Sequence, residues 1–442
     1  MVKLVIFAPH NSARLQYVLQ HVLPALLGID VVSMSDTHQF IATTLPKVNY
    51  SANIIPNTFT ILPSGLLEQR GVTNQHINIG QIQQTPVLFQ SNSPQCSLGF
   101  DFFSAAFYMA SRYEEYLPFT PDAHGRFTSK NSIAQQNNFL QKPIVHNWSQ
   151  FFLLGLKRFY PHWQTPQMSF SVTHTFDVDI AWAYKNRSVV RTLGAMAKNI
   201  LRLNFRKLLE QISTLLNLRN DPYFTFAYIE HLLEYRSNTK PVFFYLLSEG
   251  STYDKNVYPY NNNYCDVIKK LDNKFESGIH PSYYATNQPI IQKEIGHLIQ
   301  IIKRNITKSR QHYLRLSLPK TYQLLIQCGI TDDYTMGYAD ALGFRAGMAT
   351  PYHWYDLESE TTTTLTIHPF QVMDVTLQQY LLLSPDAAIQ NIQNIMDAVY
   401  QINGNFCYVW HNNSLSETDG WQGWRKVFEA ILSYNEHIKK NN

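Results

Sequence analysis

Between residues 169 and 411, short apolar segments alternate with helical patterns, and four of those segments run into an acid or an imidazole. Ser169–Val178 ends in Asp177 and Asp179. Gly278–Ser282 carries His280. Ser309–Leu316 reads as a strand and carries His312. Phe406–Trp410 is followed at once by His411. Pro241–Leu247 is a further buried strand. Between them, Asn287 and Pro289 open a helix with Ile291, Ile295, Leu298 and Ile302 on one face. Pro319–Gly329 reads as a helix stopped by its glycine. Another helix opens at Ser384 and Pro385, turns Ile389, Ile392, Met396 and Val399 inward, and ends at Gly404. Strands alternating with helices predict an α/β fold with a parallel sheet or barrel, in which reactive side chains gather at the carboxyl ends of the strands.

The chain has 442 residues, more than one core usually supports, so two domains are expected. Pro161 and Pro166 bracket a polar break, which puts the boundary near 165: a smaller α/β domain over 1–165 and a second over 166–442. In the first, Lys3–Ala8 and Ile29–Met34 read as strands. Asn11 or Ser12 caps a helix toward Leu26 that Pro24 should end or kink, and Phe102–Tyr113 has helical spacing. Arg112, Glu114 and Glu115 suggest an interdomain contact. A formal charge of +4 is too mild to argue for nucleic acid. No apolar run reaches 18 residues, so no membrane span is expected. The opening MVKLVIFAPHNSARL is too short an apolar run for a signal peptide, which makes the cytoplasm the default location. Cys96, Cys265, Cys328 and Cys407 are far apart and read as reduced thiols. The basic stretch from Lys185 to Lys207 reads as a solvated helix face, with contact to an anionic sugar substrate as the alternative.

Asp177 and Asp179 stand at i and i+2, which puts both carboxylates on one side of an extended strand. If one binds a cation, the other stays ionised as a base. His280, between Gly278-Ile279 and Pro281, and His312 in RQHYLR are candidate metal ligands. His411, held behind a buried strand, suits a general acid. A divalent ion, a carboxylate base and an imidazole acid together serve hydrolysis of an amide or ester.

The blocks TFDVD (175–179), GIHPSY (278–283), SRQHYLRLSLPKTY (309–322), DYTMGYADALGFRAG (333–347), HPFQVMD (368–374) and WHNNSL (410–415) resemble the polysaccharide deacetylases of carbohydrate esterase family 4. More closely, they are similar to a Bacteroidetes-type bacterial branch with an extra N-terminal domain of unknown function, which SRYEEYLPFTPDAHGRF (111–127) also resembles. The resemblance covers roughly residues 165–435. It implies a distorted (β/α) barrel and removal of acetyl groups from an N- or O-acetylated polysaccharide, oligosaccharide or precursor with a divalent cation, often zinc. It implies Asp177 as base, Asp179 and His280 as metal ligands, and His411 as acid. It also implies an arginine in the groove wall, either Arg310 or Arg345.

One position departs from the family. The second metal histidine, four residues after the first, is Tyr284 here, and a phenol is a poor neutral ligand. His312 is the expected replacement and His368 a weaker one. The alternative is an inactive carbohydrate-binding or assembly protein that keeps the fold.

Overall fold

The computed structural model describes residues 3–234 and 240–440. Near the N-terminus, β1 (Lys3–Phe7), β2 (Asp30–Met34), β3 (Lys47–Tyr50) and β4 (Phe59–Ile61) form a parallel sheet in the order β2-β1-β3-β4. The helical connection after β1 is capped by Ser12, whose side chain accepts from Leu15 N. It does not break at Pro24. A π-helical turn over Val18–Val22 widens the backbone just before the proline, and the helix runs on to Leu27, where Gly28 stops it at φ 63°. A wider turn accommodates the missing N–H and the ring. A small hairpin, β5 (Gly80–Ile82) with β6 (Thr85–Val87), follows. The helix Phe102–Ala110 is buried at every position.

The larger sheet has nine strands: β7 (Ser171–Val178), β8 (Val242–Tyr245), β9 (Glu276–Ile279), β10 (Lys308–Ser309), β11 (Asp332–Asp333), β12 (Tyr352–Asp356), β13 (Thr361–Ile367), β14 (Val372–Met373) and β15 (Asn405–His411). Their order is β12-β13-β11-β10-β9-β8-β7-β15-β14, parallel except for the antiparallel pair β12/β13. The expected barrel is not formed. Among the described residues β12 and β14 are unpaired edges, so the sheet is open. The hairpin β12/β13, a turn-back that the Thr361–Thr364 run does not announce, terminates one side in place of a closing strand.

An open parallel sheet offers its crevice at the carboxyl ends, where strand order reverses. From β7 the chain adds β8, β9, β10 and β11 on one side, and later β15 and β14 on the other. Register then aligns the strand ends. His411 pairs with Asp177, Asp177 with Phe244, Phe244 with Gly278, and Ile279 with Ser309. His280 and Arg310 are therefore the first residues past β9 and β10. Gly278 is required here, because a Cβ would lie 2.5 Å from the Phe244 ring and 3.0 Å from the Lys308 carbonyl.

The strand expected over 309–316 is shorter. β10 ends at Ser309, and the chain enters a 3₁₀ turn at His312–Leu314 with Tyr313 at φ 59° and Leu314 at φ 53°. His312 thus sits in a left-handed turn rather than on a strand, its N–H donating to Pro281 O at 3.1 Å.

Candidate metal and hydrolytic site

Asp179, His280 and His312 offer ligand atoms within 4.8 Å of one another. His280 Nε2 is 3.2 Å from Asp179 Oδ1, and His312 Nε2 is 3.5 Å from Asp179 Oδ2. Both rings are oriented from behind. His280 Nδ1 is 2.6 Å from the Arg310 carbonyl, which only accepts, so a neutral ring carries its lone pair on Nε2 toward Asp179. His312 Nδ1 is 2.8 Å from Asp254 Oδ1. An imidazole that donates from one nitrogen to a carbonyl or carboxylate and turns the other to a common point is the usual metal-ligand arrangement. Asp179 Oδ1 is buried and has no aligned hydrogen-bond donor among the described residues. A carboxylate with one oxygen unsatisfied beside His280 and the other beside His312 fits a divalent cation, and the one-carboxylate, two-imidazole donor set suits zinc.

Electrostatics point the same way. Burial alone would raise the Asp179 carboxyl, but the imidazoles facing it, His312 first and then His280 and His411, hold it well below the usual range. Burial alone would lower His312, but Asp179 and Asp254 lift it to about 9.

Asp177 is 2% exposed and is held by Arg310, whose NH1 donates to Asp177 Oδ1 at 2.7 Å. Arg310 is fully buried. It donates also to Tyr334 O at 3.0 Å and to Thr175 Oγ1 at 2.8 Å, and lies 4.6 Å over the Phe244 ring. Asp177 Oδ2 faces His280 Nε2 at 3.8 Å. Opposite stands His411, with Nε2 at 3.6 Å from Asp179 Oδ2 and Nδ1 at 2.8 Å from Asp374 Oδ1. Burial opposes its charge, but Asp374, Asp179 and Asp177 outweigh that and raise it to about 10.

All six candidates from the sequence thus converge at one place. Asp177, Asp179, His280, His312 and His411 line a cavity of about 330 Å³, and Arg310 lies beneath it. Arg345 does not join them. It is buried against Glu115, 2.8 Å from Nε to Oε1. His368 pairs with Asp332 at 2.7 Å, and its ring stacks on Tyr334. Tyr284 is 50% exposed and lies outside the cavity. Residues after His280 follow an irregular turn, with Ala285 N donating to Ser282 O, so the residue four positions on does not return to the same point as it would on a helix.

Three contributors are not among the site residues singled out from the sequence, although Asp374 ends the block HPFQVMD and Arg126 lies within SRYEEYLPFTPDAHGRF. Asp254 and Asp374 lie 58 and 37 residues from the imidazoles they orient. Arg126 comes from the N-terminal part of the chain and forms a wall of the cavity, donating to Tyr313 O and to Tyr380 OH, both at 2.9 Å. Tyr253, Tyr313 and Trp421 give the cavity aromatic surface.

Residues 4–161 match a family of unknown function, DUF7033. No curated protein matches the chain. A crystal structure of a provisionally assigned polysaccharide deacetylase from Mycobacterium smegmatis is similar over 62% of this chain and 92% of that one, with 15% identity and a TM-score of 0.39.

Proposed function

We propose that residues 166–442 form a metal-dependent hydrolase domain that removes acetyl groups from an acetylated polysaccharide, oligosaccharide or precursor. One observation carries this reading: a carboxylate and two imidazoles turned to a common point, flanked by a second buried carboxylate and a charged imidazole. Asp179, His280 and His312 would hold the ion, with zinc best suited to the donor set. A divalent ion there supplies electrophilic activation of an acyl group and of water.

The rest is done by the chain's own groups. Arg310 fixes one oxygen of Asp177 and leaves Oδ2 directed at the cavity to take a proton from the attacking water. His411, kept charged by Asp374, donates a proton from Nε2 to the departing amine or alcohol. Tyr253, Tyr313 and Trp421 supply faces against which a sugar ring packs. The binding-only alternative draws its support from Tyr284, and His312 standing within reach of Asp179 weakens that support.

The test is metal content of the purified protein, followed by acetate release from acetylated chito-oligosaccharides. One bound zinc per chain, lost in His312→Ala, and turnover lost in Asp177→Asn are expected. Stoichiometric zinc persisting in His312→Ala, or acetate release surviving in Asp177→Asn, contradicts the assignment.

A further inference from the structure

Two helices inserted between β7 and β8, Val189–Leu201 and Phe205–Leu215, form a hairpin that is turned inside out. The first helix buries no residue. In the second, the fully buried positions are polar, Gln211 and Thr214, and Gln211 Nε2 donates to Thr192 O of the first helix at 3.2 Å. The apolar residues face outward. Val190 is 82% exposed, Leu201 84%, Leu203 74%, Leu209 66%, Leu216 64% and Leu218 77%. On the second helix the exposed positions Phe205, Leu209, Ile212 and Leu216 repeat at intervals of four, three and four, which makes one continuous stripe. Contiguous exposed apolar surface of this kind marks a contact site.

Charge selects the occupant. Residues 185–219 hold eight Lys or Arg and a single acid, Glu210. Glu210 is taken by Arg219 at 3.6 Å, and Lys207 pairs with Asp419. Lys198, Arg202 and Arg206 are exposed on the same hairpin and have no acidic partner among the described residues. A second copy of the hairpin would bring cation against cation. An apolar stripe on a hairpin with unpaired cations instead matches helices that lie in the headgroup region of an anionic bilayer. At the base of the hairpin a recess of about 470 Å³ is lined by Arg187, Arg191 and Lys255. Its acid, Glu249, is paired with Lys293 at 2.9 Å. Lys255 also lines the candidate hydrolytic cavity, so the face carrying the hairpin opens beside that site.

We infer that this hairpin docks the protein onto an anionic lipid bilayer, its outward leucines among the acyl chains and its cations on the headgroups. This is peripheral attachment, since no described helix is long and apolar enough to cross a membrane.

The experiment is co-sedimentation of the full chain with vesicles of phosphatidylcholine, alone or mixed with phosphatidylglycerol. The protein pellets with the mixed vesicles. Binding falls by about tenfold or more in Leu209→Ser/Leu216→Ser and in Arg202→Glu/Arg206→Glu, as apolar burial and headgroup attraction both contribute. These side chains are exposed, so the fold tolerates the changes. A wild-type chain that stays in the supernatant, or a leucine variant that pellets undiminished, overturns the inference. So does a dimer in sedimentation velocity that the same leucine changes dissociate. The vesicle readout needs no turnover and stands apart from the hydrolase reading.

Discussion

Asp374 grips His411 twice: Oδ1 lies 2.8 Å from the ring Nδ1, and Oδ2 accepts the His411 backbone N–H at 2.7 Å. The carboxylate therefore sets both the ring's orientation and the proton on Nε2. Asp374→Asn keeps the shape but removes the charge that holds the imidazole protonated. Turnover should fall by about 100-fold or more, as when the orienting acid of a catalytic histidine is neutralised. His411 is raised to about 10, so the acid role proposed for it should be lost as pH rises through that value. Without the anion the ring loses its proton earlier, and the alkaline limb of the rate profile should move to lower pH. A profile of kcat against pH in the two proteins reads this directly, and an unmoved limb assigns the acid elsewhere.

Metal binding should expel a proton. His312 is raised to about 9, whereas a ligating imidazole must be neutral. Below that pH each binding event displaces one proton, so apparent affinity rises by up to about tenfold per pH unit and levels off above it. Calorimetric titration with zinc in buffers of different ionisation enthalpy counts the protons. Asp254→Asn removes one of the two charges that raise His312, so proton release should diminish at neutral pH. Affinity should also fall by about 10- to 100-fold, the usual cost of losing an orienting partner.

A methyl group at position 278 should disturb the base without touching it. The added Cβ of Gly278→Ala meets the Phe244 ring, and that ring supports Arg310, which holds Asp177. Overpacking of this kind costs about 1–3 kcal/mol. Urea unfolding should show that loss, and kcat should drop more than KM rises. A variant with wild-type kcat would show that Phe244 can yield without moving Arg310.

Glu115 joins the two parts of the chain. It accepts from Arg112 Nε at 2.7 Å and Arg345 Nε at 2.8 Å, all three side chains being buried. Burial raises its carboxyl, but Arg345 and Arg112 outweigh that and hold it below the usual value. Glu115→Ala leaves two guanidinium groups buried beside a vacated acid, and breaking such a network costs about 3–5 kcal/mol. Urea unfolding of the full chain measures it. A change near zero would mean that water or Glu114 restores the balance.

What the sequence disclosed follows from how each signal arises. Asp177, Asp179, His280 and His411 were legible because each interrupts or follows a buried apolar run, and parallel register then stacks those run ends. The open sheet was not, because edge pairing depends on whether two remote strands meet, and nothing local encodes it. His312 was found as a residue but misplaced as to backbone. Left-handed φ at Tyr313 and Leu314 is costly for bulky side chains and is imposed by contacts that include Arg126 on the Tyr313 carbonyl. Tyr284, where the chain departs from the family pattern, lies outside the cavity, because the backbone after His280 is irregular and the fourth residue does not return to the same point. Asp254 and Asp374 sit in stretches without periodicity. The stretch from Lys185 to Lys207 reads in the sequence as a solvated basic helix face, since an apolar stripe reads the same whether it faces a core or the outside.

The Arg126 bridge has a consequence for dissecting the chain. Its guanidinium closes one side of the cavity and holds the very turn that aims His312. A fragment beginning at residue 166 would keep every candidate catalytic and metal-binding side chain and still be a breached vessel, its ligand turn unmoored. The leading segment is a component of the candidate site rather than a detachable passenger.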